Sequence, residues 1–160
     1  MEQEYSQLKL EHQLCFPLYA CAREIVRLYQ PFLEPLGLTY TQYIVMLRLW
    51  EAGRDTVKSL GNALWLDSGT LTPVLKKLEQ KGYLIRARNE SDERSVILSL
   101  TQQGKALRER AAQVPAQVGA CVPLEPADGA QLHALLHKLL AGLRCTRRSF
   151  YGTQQTDRPR

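Results

Sequence analysis

The chain has 160 residues and a formal net charge of +5, with 44% hydrophobic and 23% charged residues. This composition is that of a folded protein rather than a disordered chain or a coiled-coil rod, and the length suits one domain over residues 1–160, with a polar, disordered tail at 152–160. A membrane span of roughly 20 apolar residues, a signal peptide and a secreted disulfide scaffold are all excluded, so we expect a cytoplasmic protein with free thiols.

The first predicted element is a long helix over about residues 8–34. Its apolar residues recur at helical spacing, and Pro31 and Pro35 are expected to close it. Pro17 lacks the N–H that an internal helical residue donates. We therefore expect a kink or a helix start beside Cys15.

Three shorter helices follow, each preceded by a residue that can cap it. Thr39 and Gln42 have the spacing of a capping box for the second helix. Thr56 can cap the third and Asp67 the fourth. Pro73 lies inside the fourth helix, which leaves a bend or a later start open.

A charged hairpin is predicted next. Residues 83–88 and 95–100 have the composition of strands, and the polar run 89–92 between them forms turns readily. The order helix, helix, strand, turn, strand is that of a winged helix-turn-helix, whose second helix enters the major groove of DNA. The predicted fold class is therefore mainly α with a small β-hairpin wing, and its winged core spans about residues 39–101.

The last predicted helix carries a continuous leucine seam. Asp128 and Gln131 have capping-box spacing, and leucines from Leu132 to Leu143 follow at helical intervals. Such a seam suits an intramolecular core, and it also suits an interface between two chains. We expect both, with dimerisation helices over about residues 8–34 and 102–150.

Polar and basic residues on the outer sides of the fourth helix and the hairpin suit DNA. Short hydroxyls approach bases, lysines neutralise phosphates, and an arginine held by an aspartate can enter a narrow minor groove. A charged hairpin alone is as often a solvated surface, but the preceding helix pair favours DNA. The predicted DNA-binding residues are Ser68, Thr70, Thr72, Lys76, Lys77, Arg86, Arg88, Asp92 and Arg94. Two copies would address a pseudo-palindromic, double-stranded operator.

Most of the chain to about Ala112 resembles one family of regulators. The segments LEHQLCFPLYACARE, LGLTYTQYIVMLRLWE and LWLDSGTLTPVLKKLEQKGYLIRARNESDERSVILSLTQQG resemble the MarR family, and within it the organic hydroperoxide resistance regulators of OhrR type. Asp92, Arg94, Leu100 and Thr101 match the family's wing signature. The resemblance implies that Arg94 enters the minor groove and that Ser68 and Thr70 lie at the major groove.

The resemblance also implies a thiol sensor for organic hydroperoxide. It assigns the peroxidatic role to Cys15, makes Tyr29 and Tyr40 phenol donors to its sulfur, and places Tyr19 nearby. A phenol hydroxyl directed at sulfur favours the thiolate, which is the form that attacks peroxide. The predicted function is thus a dimeric repressor that releases its operator when Cys15 is oxidised.

A second thiol is expected to capture the oxidised sulfur as a disulfide. Unless Pro17 causes a large kink, Cys21 is excluded, because six residues of helix separate it from Cys15 by about 9 Å, beyond the roughly 7 Å that a disulfide bridges. We interpret Cys21 as structural. The two-cysteine members of the subfamily imply Cys121, usually reaching the other subunit. Cys145 and a small thiol remain open.

Three alternatives remain. A thiol peroxidase would share the first chemical step, although we expect no enzyme and no cofactor. A metal-responsive repressor is suggested only by His133 and His137, which share a helix face, and by His12 three residues before Cys15. The third is a MarR-type repressor released by a small phenolic ligand, with incidental cysteines.

Overall fold

The computed structural model describes residues 5–89 and 92–152, and only the backbone of residues 89, 92–94, 145 and 147–152. Two compact units divide the chain, one ending at Cys121 and the other beginning at Val122. The tail predicted beyond residue 152 lies outside the described residues, and the single-domain boundary stays a prediction. None of the described helices is long and apolar enough to cross a membrane.

Helix α1 spans Cys15–Leu33; its end agrees with the predicted helix and its start does not. Two 3₁₀ turns, Ser6–Leu8 and Leu10–His12, precede it, so the α-helix starts at Cys15 rather than at residue 8. Pro17 explains this start, because a proline in the first turn gives up an N–H that has no helical partner there. The prediction that Pro31 closes the helix is wrong. It lies inside the last turn, where its missing N–H affects a single bond near the helix end.

All three predicted caps form in the winged part of the chain. Thr39 and Gln42 make the reciprocal capping box, the Thr56 hydroxyl accepts from the N–H of Ser59, and the Asp67 carboxylate accepts from the next turn. The helix after Asp67 starts at Ser68, so Pro73 does not delay it. The resulting elements are α2 (Tyr40–Ala52), β1 (Arg54–Thr56), α3 (Val57–Leu64), α4 (Ser68–Gln80), β2 (Leu84–Asn89) and β3 (Asp92–Leu100).

The predicted hairpin is part of a three-stranded antiparallel sheet of order β1-β3-β2. Leu84 pairs with Leu100 across the hairpin, and Thr56 of the unpredicted strand β1 pairs with Ile97. Strand β1 has only three residues, which is too short for an alternating pattern to be recognised in the sequence. Strand β1 ties the residues before α3 to the base of the wing, which is formed by β2 and β3.

Close backbone approaches set the angle between α3 and α4. A Cβ on Gly61 would lie 2.8 Å from the carbonyl oxygen of Leu66, so the turn can pass this close only beside a glycine. Trp65 closes α3 in the left-handed conformation, with φ of 58°. Leu60, Leu71, Leu75, Leu78, Leu84 and Leu98 then form a fully buried core beneath the exposed face of α4.

Helices also make up the chain after the wing, within the predicted range 102–150. After α5 (Gln102–Ala111), α6 (Val114–Cys121) packs against α1 and buries Val114 and Val118. Helix α7 spans Pro126–Gly152, so the expected cap at Asp128 is wrong. Pro126 starts the helix instead, because its fixed φ suits a first helical position.

Candidate functional site

The outer face of α4 presents the polar residues predicted to meet DNA. Leu71, Leu75 and Leu78 point into the core, which leaves the opposite side of the helix to solvent. The predicted residues on this helix are all exposed: Ser68, Thr70, Thr72, Lys76 and Lys77. Their exposure leaves this face of α4 free to enter a groove of DNA. The DNA contacts themselves remain a prediction.

Two hydroxyls on this face already donate their hydrogens within the helix. Thr70 Oγ1 donates to the Asp67 carboxylate at 3.0 Å, and Thr72 Oγ1 donates to the carbonyl of Ser68 at 2.7 Å. The N–H of Thr70, followed by its hydroxyl, lowers the pKa of Asp67, so this cap stays ionised. Both hydroxyl oxygens therefore offer only lone pairs outward.

The wing arginines differ in their surroundings. Arg88 is exposed on β2, whereas Arg86 pairs with Glu79 of α4, with Nη2 and Nε at 2.6 and 2.9 Å from the same carboxylate oxygen. The hydrogen bond from Arg86 lowers the pKa of Glu79. Arg86 thus joins the wing to α4 instead of pointing free at a phosphate. The side chains of Asp92 and Arg94 lie outside the described residues.

An exposed thiol stands at the start of α1. Cys15 is the first residue of the helix, and Tyr19 follows one turn later on the same side. Arg23, one turn further, donates from Nη1 to the Tyr19 hydroxyl at 3.3 Å, and its guanidinium carbon lies 5.4 Å from the ring centroid. A thiol, a phenol and a guanidinium thus follow one another along one stripe. Arg23 was not among the residues predicted from sequence, although it follows Tyr19 at the helical spacing i+4.

Three other tyrosines, Tyr29, Tyr40 and Tyr43, form a separate cluster. Tyr29 and Tyr40 meet edge to face with centroids 5.0 Å apart, and Tyr43 lies 5.8 Å from Tyr29. Burial, and to a lesser extent the neighbouring Tyr29, raises the pKa of Tyr40, which keeps its hydroxyl protonated as a donor. Tyr29 lies 14 residues after Cys15 on the same helix, about 21 Å along its axis. That exceeds the reach of both side chains, so within one chain the phenols and the sulfur do not meet.

The described cysteines are free and exposed. The Cys121 thiol, at the end of α6, donates to the carbonyl of Gln117 at 3.4 Å. Gln117, one turn before Cys121, lines a groove together with Phe32. Phe32 follows Cys15 by 17 residues on α1, which corresponds to about 25 Å along the helix axis. Cys21 is exposed in this chain, so its interpretation as a buried structural residue is wrong. The side chain of Cys145 is outside the described part.

Apolar surface remains uncovered on each unit. Five leucines of the predicted seam are 40–57% exposed, so the seam is not consumed by an intramolecular core: Leu132, Leu135, Leu139, Leu140 and Leu143. On the other unit, Leu14 and Phe16 are exposed around the start of α1. Contiguous apolar surface of this kind marks an interface.

Among the described residues, the histidines do not belong to a metal centre with three or more protein ligands. Among the residues whose side chains are described, no group of three or more His, Cys, Asp and Glu is placed to hold a metal ion. His12 lies within hydrogen-bond distance of the Ser6 carbonyl, at 2.8 Å, and His133 and His137 contact each other on α7.

A family of transcription regulators matches the central part of the chain. The family described as transcriptional regulator SarA/Rot matches residues 27–110. The organic hydroperoxide resistance transcriptional regulator of Bacillus subtilis is 47% identical over 143 residues, covering 89% of this chain and 97% of the relative.

Solved regulators share the fold. Reduced AbfR bound to DNA superposes with a TM-score of 0.74 at 36% identity, covering 90% of this chain and 99% of that one; AbfR comes from Staphylococcus epidermidis. A cysteine mutant of MarR from E. coli, complexed with operator DNA, gives a TM-score of 0.69 at 29% identity and covers 79% and 93% of the two chains. Similar structures of AbfR include an overoxidised form bound to DNA and a disulfide form. The winged-helix prediction is confirmed.

Proposed function

Because the chain belongs to the MarR-type organic hydroperoxide resistance transcriptional regulators, we propose that it is a DNA-binding repressor that releases its operator when an organic hydroperoxide oxidises Cys15. The observation that carries this function is the presence, in one chain, of an exposed free thiol at the start of α1 and an exposed polar face on α4. The thiol reacts with the hydroperoxide, and α4 binds or releases the operator.

Helix α4 is proposed to read the major groove. Lys76 and Lys77 neutralise phosphates, while Thr70 and Thr72 accept from the amino groups of adenine or cytosine, because their own hydrogens are engaged within the helix. Arg88 contacts the backbone beside the minor groove. Asp92 and Arg94 retain the roles implied by the family signature.

The sensor is proposed to be assembled from two chains. Tyr29 and Tyr40 of one chain lie too far from Cys15 of that chain, so the donors to its sulfur come from the second copy. The exposed apolar surface around the start of α1 and on α7 suits such a homodimer. Two copies of α4 then address the halves of a pseudo-palindromic operator.

The proposed chemistry has two balanced steps. The Cys15 thiolate attacks the peroxide oxygen and breaks the O–O bond, giving a sulfenic acid and an alkoxide that takes a proton to become the alcohol. The Cys121 thiol of the second chain then forms the S–S bond, and the hydroxyl leaves with a proton as water. One peroxide is consumed per sensor thiol without turnover, which is the behaviour of a switch rather than of an enzyme.

The disulfide, rather than the oxygen atoms on sulfur, is proposed as the releasing species. This choice is supported by AbfR, which has been solved bound to DNA in both a reduced and an overoxidised form. A bridge between Cys15 and α6 of the other chain pulls two helices together. A shift of a few Å in the spacing of the two α4 helices is then enough to lose one half-site.

The test is operator release by cumene hydroperoxide, followed by fluorescence anisotropy and non-reducing gels. The operator is first selected from random duplex DNA by the reduced protein. We expect wild type and Cys21→Ser, the matched control on the same helix, to be released as cross-linked dimers. Cys15→Ser should stay bound, and Cys121→Ser should oxidise without cross-linking and stay bound longer. Release of Cys15→Ser at the wild-type peroxide dose would refute the sensor.

A second candidate is release by a small phenolic ligand, which an open groove of about 420 Å³ favours. Phe32 and Val114 line it with apolar surface, and it also contains two opposite charges, Glu109 and Arg110, whose Nη2 donates to the Pro35 carbonyl at 2.8 Å. Release of Cys15→Ser protein by salicylate, without peroxide, would support this function in place of the thiol switch.

A further inference from the structure

Helix α7 carries two histidines whose rings converge. His133 and His137 are one turn apart, both are exposed, and their Nε2 atoms lie 3.1 Å from each other with ring centroids at 4.3 Å. The thiol switch uses neither residue. Each directly follows a leucine of the seam, the exposed Leu132 and the half-buried Leu136, so the pair borders that seam.

The separation of the two nitrogens suits a shared metal ion. Bonds of about 2.1 Å from one ion to two imidazoles, at angles between those of octahedral and tetrahedral coordination, place the nitrogens roughly 3.0–3.4 Å apart. The observed 3.1 Å falls within that interval. Without an ion, the contact is favourable only when one Nε2 carries a hydrogen, because two lone pairs otherwise face each other.

We propose that His133 and His137 chelate one divalent transition-metal ion of the class that prefers imidazole nitrogen, such as Ni²⁺ or Zn²⁺. Both rings coordinate through Nε2 as neutral imidazoles, and water fills the other positions. The described residues contribute no third protein ligand. Coordination by residues at positions i and i+4 cross-links one turn of α7, so the bound ion stabilises this helix beside the leucine seam.

The test is titration of the full-length protein, reduced with a phosphine, with Ni²⁺ alone, followed by isothermal calorimetry at constant pH. His133→Ala and His137→Ala each remove one ligand. His12→Ala removes the remaining histidine of the chain and is the matched control. A spacing control, His137→Ala with Lys138→His, keeps two imidazoles on α7 but moves one off the shared face. Circular dichroism verifies that each variant retains its helix content.

We expect one ion per chain in wild type and in His12→Ala. Affinity should fall on the order of 100-fold in both single variants and in the spacing control, because the second imidazole then no longer binds as an intramolecular ligand. Nickel should also raise the Tm of wild type but not that of the spacing control. Wild-type affinity in the spacing control would overturn the proposal and leave an adventitious ion only.

Discussion

Replacing Gly104 with alanine is expected to loosen the joint between the wing and α5. Gly104 is buried in the first turn of α5, where an added Cβ would lie 1.9 Å from the carbonyl oxygen of Tyr83 and 2.9 Å from its carbonyl carbon. Both atoms belong to backbone and cannot rotate away as a side chain would. The helix start must therefore move by about 1.5 Å to reach an ordinary van der Waals contact of 3.4–4 Å.

That movement strains two hydrogen bonds that end at Gly104. Its N–H donates to Thr101 Oγ1 at 3.0 Å, and its carbonyl accepts from the buried Trp50 Nε1 at 2.8 Å. Loss of the cap is worth about 1 kcal/mol, and a buried indole N–H without a partner about 1–3 kcal/mol. Alanine returns about 1 kcal/mol through its better helix propensity. We expect a net loss of about 1–3 kcal/mol in the free energy of unfolding, and steric strain would add to this loss.

The assay is urea unfolding followed by circular dichroism, at one protein concentration and with reductant present. Gly119→Ala is the matched control, because it lies in α6 with no atom within 4 Å of the added Cβ. That variant should be unchanged or more stable by up to about 1 kcal/mol. If the free energy of unfolding of Gly104→Ala lay within about 0.5 kcal/mol of that of wild type, the backbone clash and both hydrogen bonds would be irrelevant to stability. This result would refute the prediction.

Three further predictions concern charged side chains. Lys76→Gln should reduce the slope of log Kobs against log salt by about 0.9 per phosphate contact, or about 1.8 per dimer, in anisotropy titrations; an unchanged slope would remove this residue from the interface. Arg86→Glu should weaken operator binding, and adding Glu79→Arg should restore most of it because the ion pair is re-formed; a double variant as weak as the single one would indicate a direct phosphate contact instead. Arg23→Gln should slow alkylation of the sensor thiol by iodoacetamide relative to Arg27→Gln, because only Arg23 donates to the phenol on the thiol's side of α1; equal rates would contradict that positioning role.

Several features of the fold were accessible from sequence because they depend on neighbouring residues. The caps at Thr39, Thr56 and Asp67 form with partners three residues away, so spacing alone predicts them. The inward stripe of α4 likewise follows from helical periodicity. Asp128 was misplaced as a cap for the same reason: its local pattern competes with Pro126, and both suit a helix start.

The candidate site could be predicted only in part from the sequence. Exposure of the α4 residues followed from the core stripe, but the partner of Arg86 did not, because Glu79 is seven residues away and meets it only when β2 folds back against α4. The exposed state of Cys21 was also missed, since a lone cysteine is by default a small buried hydrophobe.

The sequence by itself determined where most helices begin and which face of α4 is polar, because these depend on local hydrogen bonding and periodicity; the sensor thiol and its tyrosines are implied by the family resemblance. Only the tertiary structure decided which of them come together. It joins Tyr29 to Tyr40, keeps both remote from Cys15 of the same chain, and leaves five leucines of α7 exposed. Contacts between distant segments depend on how helices pack, and a one-dimensional pattern does not specify that packing.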